Sequence, residues 1–139
     1  MILVIRISGI VNLTKDIKET LYRIRLRKKY SAVLAAPTLK NMKLLKIIRN
    51  YVAYGDINNE TLRELIKARA ILKDKTKKID VDKIIEQIEK KDSESWDIKP
   101  FFRFHPPRGG IDSKKHFGKG KGVLGDNKNK IKELVRRML

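Results

Sequence analysis

The chain contains no cysteine. That absence removes disulfide scaffolds, thiolate metal sites and cysteine nucleophiles, and it fits a reducing compartment. Acidic residues are also scarce: 16 Asp and Glu stand against 34 Lys and Arg, leaving a formal net charge of +18 on 139 residues. Long apolar runs are missing as well. The N-terminal run is broken at Arg6, far short of the roughly 20 residues that a membrane-spanning helix requires, and no signal-peptide cleavage pattern follows it. These absences predict a soluble, intracellular protein that does not engage a membrane.

What is present is enough to fold. Hydrophobic residues make up 41% of the chain, too many for a disordered basic tail, and the length suits one compact domain, alone or with an appendage. Eighteen excess like charges repel one another when such a chain compacts, so a polyanion is the expected partner, nucleic acid first. The charge is unevenly placed. Residues 1–51 carry net +10, residues 52–98 net −1, residues 99–125 net +6 and residues 126–139 net +3. A neutral block thus separates two basic ones.

The apolar run Ile2–Ile7, closed by Gly9, reads as a buried and central strand. Thr14 is placed to cap a helix with Ile17, Leu21 and Ile24 on its inner face. Ser31–Ala36 reads as a second strand ended by Pro37, and Thr38 as the cap of a helix directing Leu39, Met42, Leu45 and Ile48 inward and Lys40, Lys43, Lys46 and Asn50 outward. Tyr51–Tyr54, ended by Gly55, gives a third strand. A β-α-β-α-β order implies a sheet with helices packed on it. Beyond it, Asn59 is the candidate cap of a helix bearing Leu62, Leu65, Ile66 and Arg69. Asp80 caps another with Val81, Ile84, Ile85 and Ile88, and residues 73–78 form a polar linker between the two. A last helix presents Ile131, Leu134, Val135 and Met138 behind a cap at Asp126 or Asn127. Three units are expected: an α/β (α+β) core at 1–57, a helical extension at 58–98, and a basic extended loop with a closing helix packed on the core at 99–139.

Residues 99–125 hold three of the four prolines and six of the eight glycines, a composition that predicts no lasting regular element beyond an extended stretch at Ile98–Phe104. Fully extended, the segment would reach roughly 90 Å, enough to thread between RNA helices. Phe101, Phe102, Phe104 and Phe117 alternate there with Lys99, Arg103, Arg108, Lys114, Lys115, Lys119 and Lys121. Aromatic rings can stack on unpaired bases while cations hold the backbone. For the three clustered phenylalanines, anchoring in the core is the favoured reading. Arg108-Gly109-Gly110 and Lys114-Lys115 are read as phosphate contacts. A second cluster, Arg23, Arg25, Arg27, Lys28 and Lys29, sits at the end of the first helix. Five cations in seven residues exceed what a helix C-terminus can use, so these are read as a phosphate-binding surface.

Catalytic signals are poor. His105 and His116 lie in a basic segment with Asp112 as its one carboxylate and Ser113 nearby, an arrangement that offers no oxyanion hole or orienting geometry. The surrounding positive charge disfavours a metal, and Gly118–Gly122 lacks the spacing of a nucleotide-binding loop. No cofactor, no small-molecule substrate and no enzymatic activity are expected.

Residues 20–52, TLYRIRLRKKYSAVLAAPTLKNMKLLKIIRNYV, resemble the signature stretch of the large-subunit ribosomal protein L-thirty family. HPPRGG at 105–110 and the closing GDNKNKIKELVRRML are similar to its longer archaeal and eukaryotic members, whose eukaryotic representative is ribosomal protein L-seven. The resemblance implies a ferredoxin-like core and a structural role in the large subunit. It further implies contact with large-subunit ribosomal RNA, neighbouring ribosomal proteins and a position near 5S RNA. Carried over by position, it assigns RNA contact to Arg23, Arg25, Arg27, Lys28, Lys29, Arg108, Gly109 and Gly110. Lys43, Arg103, His105, Lys114, Lys115, His116, Lys119 and Lys121 complete the candidate set. In one departure, the family often has Gly before the methionine of the second helix, where this chain has Asn41-Met42. A transient assembly or maturation factor is the alternative from the same chemistry. An RNA-processing nuclease, the alternative from another class, would need an acid/base pair on folded elements.

Overall fold

A computed structural model describes residues 1–9, 11, 13–76, 78, 80–90, 96–120 and 122–139. Its centre is β1 (Ile2–Arg6), buried at every position. β1 pairs antiparallel with β2 (Ser31–Ala35) on one side and with β3 (Val52–Asp56) on the other. Because side chains alternate across a strand, Ile2 and Val4 enter one apolar cluster and Leu3 and Ile5 enter a second on the opposite face. A strand covered on both faces needs apolar residues throughout, which is why the run at the N-terminus does not alternate.

α1 (Lys15–Arg23) and α2 (Leu39–Ile48) cover the first face, contributing Leu21, Leu45 and Ile48 to its core. Thr14 and Thr38 cap them as expected, each side-chain oxygen accepting from the N–H three residues on, at 3.4 and 3.3 Å. The second face is covered by α3 (Asn59–Arg69), α4 (Val81–Glu89) and α5 (Ile131–Met138), whose apolar stripes meet Leu3, Ile5 and Ile7. The result is a mixed α/β fold of the ferredoxin-like type, with one sheet between two helical layers.

Several expectations change. Leu39 is not inward but 82% exposed, because burial grows along α2 and its first turn projects beyond the layer it packs on. The cap of α3 is Asn58, whose extended backbone lets its Oδ1 accept from Thr61 N–H at 2.9 Å; Asn59 is already helical. α5 has no side-chain cap. Asp126 instead accepts from the N–H of Lys128 in a short 3-10 turn, Lys128–Lys130. Asn127 is buried and donates to the carbonyls of Val123 and Gly125 at 2.7 and 3.1 Å.

Within residues 99–125, β4 (Phe102–Arg103) falls in the stretch expected to be extended, and the largest correction is that two further strands follow, β5 (Asp112–His116) and β6 (Gly122–Asp126). β4 pairs antiparallel with β2, β6 pairs parallel with β3, and β5 pairs parallel with β6, giving the sheet order β4-β2-β1-β3-β6-β5. The C-terminal segment therefore extends the N-terminal sheet at both edges. β4 and β5 are edge strands with a single ladder partner each, so they need no continuous apolar run.

β3 does not end at Gly55, which pairs with Leu3 in mid-strand. A Cβ there would strike the carbonyl of Lys128 and come within 2.9 Å of the Ile131 Cβ, so this glycine makes room for the 3-10 turn and α5. Gly55→Ala is expected to overpack the contact and destabilise the fold by about 2 kcal/mol, read as a lower denaturation midpoint with an unchanged slope. Wild-type stability in that variant would show that α5 does not depend on the close approach.

Candidate nucleic-acid interface

The basic residues near the end of α1 lie mostly beyond it. Only Arg23 is helical. Ile24 closes the helix, Arg25 adopts a left-handed backbone with φ of 67°, and Arg27, Lys28 and Lys29 form the turn into β2. Leu26 is the turn's anchor, fully buried between exposed cations on either side. Ser31 ties the turn from below, its hydroxyl donating to the Lys28 carbonyl at 2.5 Å. Two of the cations rest on rings: Arg27 lies 4.2 Å from the centre of Tyr22, and Lys29 lies 5.1 Å from that of Tyr30.

Pairing of β2 with β4 sets Ser31 opposite Arg103. That register brings a cation of the C-terminal segment beside the N-terminal cluster. Arg25, Arg27, Lys28 and Arg103, with Pro100 and Phe101, line a cleft of about 460 Å³. An adjoining groove of about 330 Å³ shares Arg25 and Pro100 with it and reaches Arg23. The two basic blocks of the sequence are thus partly merged in space.

Beneath this turn lies a group the sequence reading passed over. Arg6 ends β1 and is 5% exposed. Its Nη1 donates to the Leu26 carbonyl at 2.8 Å, Nε to Ser8 at 3.0 Å and Nη2 to Gly9 at 3.1 Å. Burial lowers the guanidinium's pKa from its ordinary value, yet arginine stays protonated in proteins, so three carbonyls are held around a permanent charge. The signal was a lone cation inside an otherwise apolar run.

The other candidates gather at the far edge of the sheet. Lys114 and Lys115 are exposed on β5, His116 is half-buried at its end, and Lys119 is exposed in the turn that follows. Arg108 is exposed, and Gly109 and Gly110 take φ of +80° and +72°, backbone that side chains rarely adopt. The Arg108–Gly110 loop is not free: Arg137 of α5 donates to the carbonyls of Arg108 and Gly110, and the Arg108 N–H returns a bond to Arg137. His105 is similarly engaged, its ring nitrogens facing the Pro106 carbonyl and a backbone oxygen of the last residue, Leu139. The clustered phenylalanines divide. Phe102 and Phe104 are buried, as the anchoring reading expected; Phe101 is half-buried, packed against the apolar cluster of the first face, and also lines the cleft. Lys43 is exposed on α2 and does not line that cleft. Lys121 lies outside the described residues. Among the described residues, no group of three or more His, Asp or Glu could hold a metal, and no helix is long and apolar enough to cross a membrane.

Arg6→Met keeps most of the side-chain volume and removes all three charged hydrogen bonds. It is expected to destabilise the protein by about 2–3 kcal/mol and to speed amide exchange across Leu26–Lys29. Both are measurable by denaturation and hydrogen exchange. Unchanged exchange in that turn would show that Arg6 does not hold it.

No protein-family model matches the chain. It is, however, 36% identical over 153 aligned positions to the large ribosomal subunit protein uL30 of Archaeoglobus fulgidus, with 99% of each chain covered. The protein of the same name from Aeropyrum pernix is 36% identical, covering 98% of this chain and 97% of its own. That from Methanoregula boonei is 33% identical, with 99% of each covered. Identity at this level along the full length of both sequences leaves one assignment: the chain belongs to the uL30 family of large ribosomal subunit proteins.

Proposed function

We propose that this protein is a structural constituent of the large ribosomal subunit and binds ribosomal RNA through the basic surfaces at the two edges of its sheet. The observation that carries the proposal is the end-to-end match to relatives named as large ribosomal subunit proteins. The placement of charge supports it. At one edge Arg25, Arg27, Lys28 and Arg103 converge on a cleft, and at the other Arg108, Lys114, Lys115 and Lys119 are exposed beside a glycine-rich turn. Cations so grouped neutralise successive phosphates and release their counterions, which supplies affinity without reading sequence. On this reading the protein is bound to ribosomes in the cytoplasm, next to other ribosomal proteins. Its position near 5S RNA is part of the same proposal and rests on the signature stretch at 20–52 and the HPPRGG segment.

The same reading takes the protein as non-catalytic. The ring nitrogens of His105 face backbone oxygens of Pro106 and of the last residue, Leu139, rather than the side-chain carboxylate on a folded element that a nuclease's acid/base pair would use.

Two measurements test the proposal. The protein should sediment with large subunits and resist a high-salt wash; release by salt would favour a transient factor. In binding to ribosomal RNA, log affinity should fall linearly with log salt, and Arg27→Ala/Lys28→Ala/Lys29→Ala should reduce the magnitude of that slope by about 2–3 while the fold is retained. A flat salt response in the unaltered protein would sink the phosphate-binding model.

A further inference from the structure

We infer that the cleft between the α1–β2 turn and β4 accepts an unpaired nucleotide, its base stacked on Phe101 and its phosphate held by the surrounding arginines. The inference rests on the RNA-binding reading above and adds which form of RNA this edge recognises.

Three observations carry it. The first is shape. A site serving only phosphates of a duplex needs an exposed basic surface, because paired bases keep their faces hidden. Here the cations instead ring a concavity of about 460 Å³, within the roughly 300–1,000 Å³ range of ligand clefts. The second is the wall. Of the four phenylalanines, Phe102 and Phe104 are buried in the core, while Phe101 lines the cleft with Pro100. The guanidinium carbon of Arg103 sits 5.5 Å from the centre of the Phe101 ring, so a planar cation already covers the ring, and an incoming base would displace this exposed side chain or insert beside it. A base offers the same planar fit, and arginine can stack on it in turn. The third is charge. Arg25, Arg27, Lys28 and Arg103 line the cleft, and among the described residues no carboxylate does. The adjoining groove past Arg23 gives the strand a path onward.

A comparison within the molecule sharpens the choice. At the other edge Phe117 also lies beneath a cation, with Lys130 at 5.9 Å from its ring centre, beside a cleft of about 530 Å³. That cleft includes the carboxylate of Glu133 in its wall, and its Arg137 is already committed to the carbonyls of Arg108 and Gly110. It is less suited to an anionic nucleotide.

The test compares the full chain with Phe101→Leu, which keeps apolar bulk and removes the aromatic face, and with Phe101→Trp, which restores it. Binding is measured to a single-stranded oligoadenosine carrying a fluorescent aminopurine and to an RNA duplex of the same length. In the unaltered protein the aminopurine should be quenched on binding. Phe101→Leu should weaken single-strand affinity by about tenfold, abolish the quenching and leave both duplex affinity and the salt slope unchanged, and Phe101→Trp should recover the single-strand binding. Equal affinity of the Leu variant and the unaltered protein for the single strand overturns the inference while leaving phosphate binding intact. An equal loss on both RNAs also overturns it, since Phe101 would then act through the fold. Failure of the unaltered protein to bind either RNA would overturn the RNA-binding reading itself.

Discussion

The fold depends on one strand being paired along both edges and covered on both faces. β1 has no edge or face open to water, so its five residues cannot shift register without exposing one apolar cluster or placing a side chain of the wrong size in the other. Once it is fixed, β2 and β3 are fixed beside it, and each presents a single free edge. The C-terminal segment completes both, with β4 on β2 and β6 on β3. The surfaces proposed to meet RNA therefore lie at the sheet's ends because its middle is fully occupied. A basic turn and a glycine-rich loop far apart in sequence acquire defined positions from the same central strand.

Arg6 shows how that centre reaches the surface. Its Cα belongs to β1 while its guanidinium lies under the α1–β2 turn, holding the Leu26 carbonyl. A turn rich in like charges would spread if only its own backbone held it. Leu26 pulls it inward by burial and Arg6 ties it by charge-assisted hydrogen bonds. Five exposed cations are thereby displayed by two residues that are themselves buried. The neutral helical block serves the opposite purpose. α3 and α4 cover the second face, with Arg63 paired to Asp82 at 2.8 Å and Arg136 of α5 paired to Glu64 at 3.1 Å. These exposed pairs add little stability, but they keep that layer from joining the cationic surface.

Much of the N-terminal half was legible. Thr14, Thr38 and Asp80 cap the helices they were expected to cap, since capping is local chemistry that a few residues carry. β1 was legible because burial on both faces leaves an unbroken apolar run. The C-terminal strands were not. β5 reads DSKKH, with no apolar periodicity, because one side of it is an edge in water and only β6 supports it. β6 contains two glycines in five residues, a composition that argues for a turn until a neighbouring strand is known. The register of β4 on β2 joins residues remote in sequence, so the cleft that unites Arg25, Arg27 and Lys28 with Arg103 had no local signature. The candidate residues were legible by type and charge; which of them share a site was set by strand pairing.

That pairing also answers how a chain with net charge +18 folds at all. Six strands at about 4.8 Å place the two sheet edges roughly 24 Å apart, more than two Debye lengths at physiological salt, where screening acts over about 8 Å. The cations of β4 and the α1–β2 turn therefore scarcely feel those of β5 and the Arg108–Gly110 loop. Within each edge, repulsion is offset by local ties: Arg6 and Leu26 at one, Arg137 at the other. A polyanion long enough to contact both edges would meet the attraction of both groups, while the folded protein bears the repulsion within each group but little between them. A sheet wide enough to separate the charges is what lets their effects add toward RNA without adding against the fold.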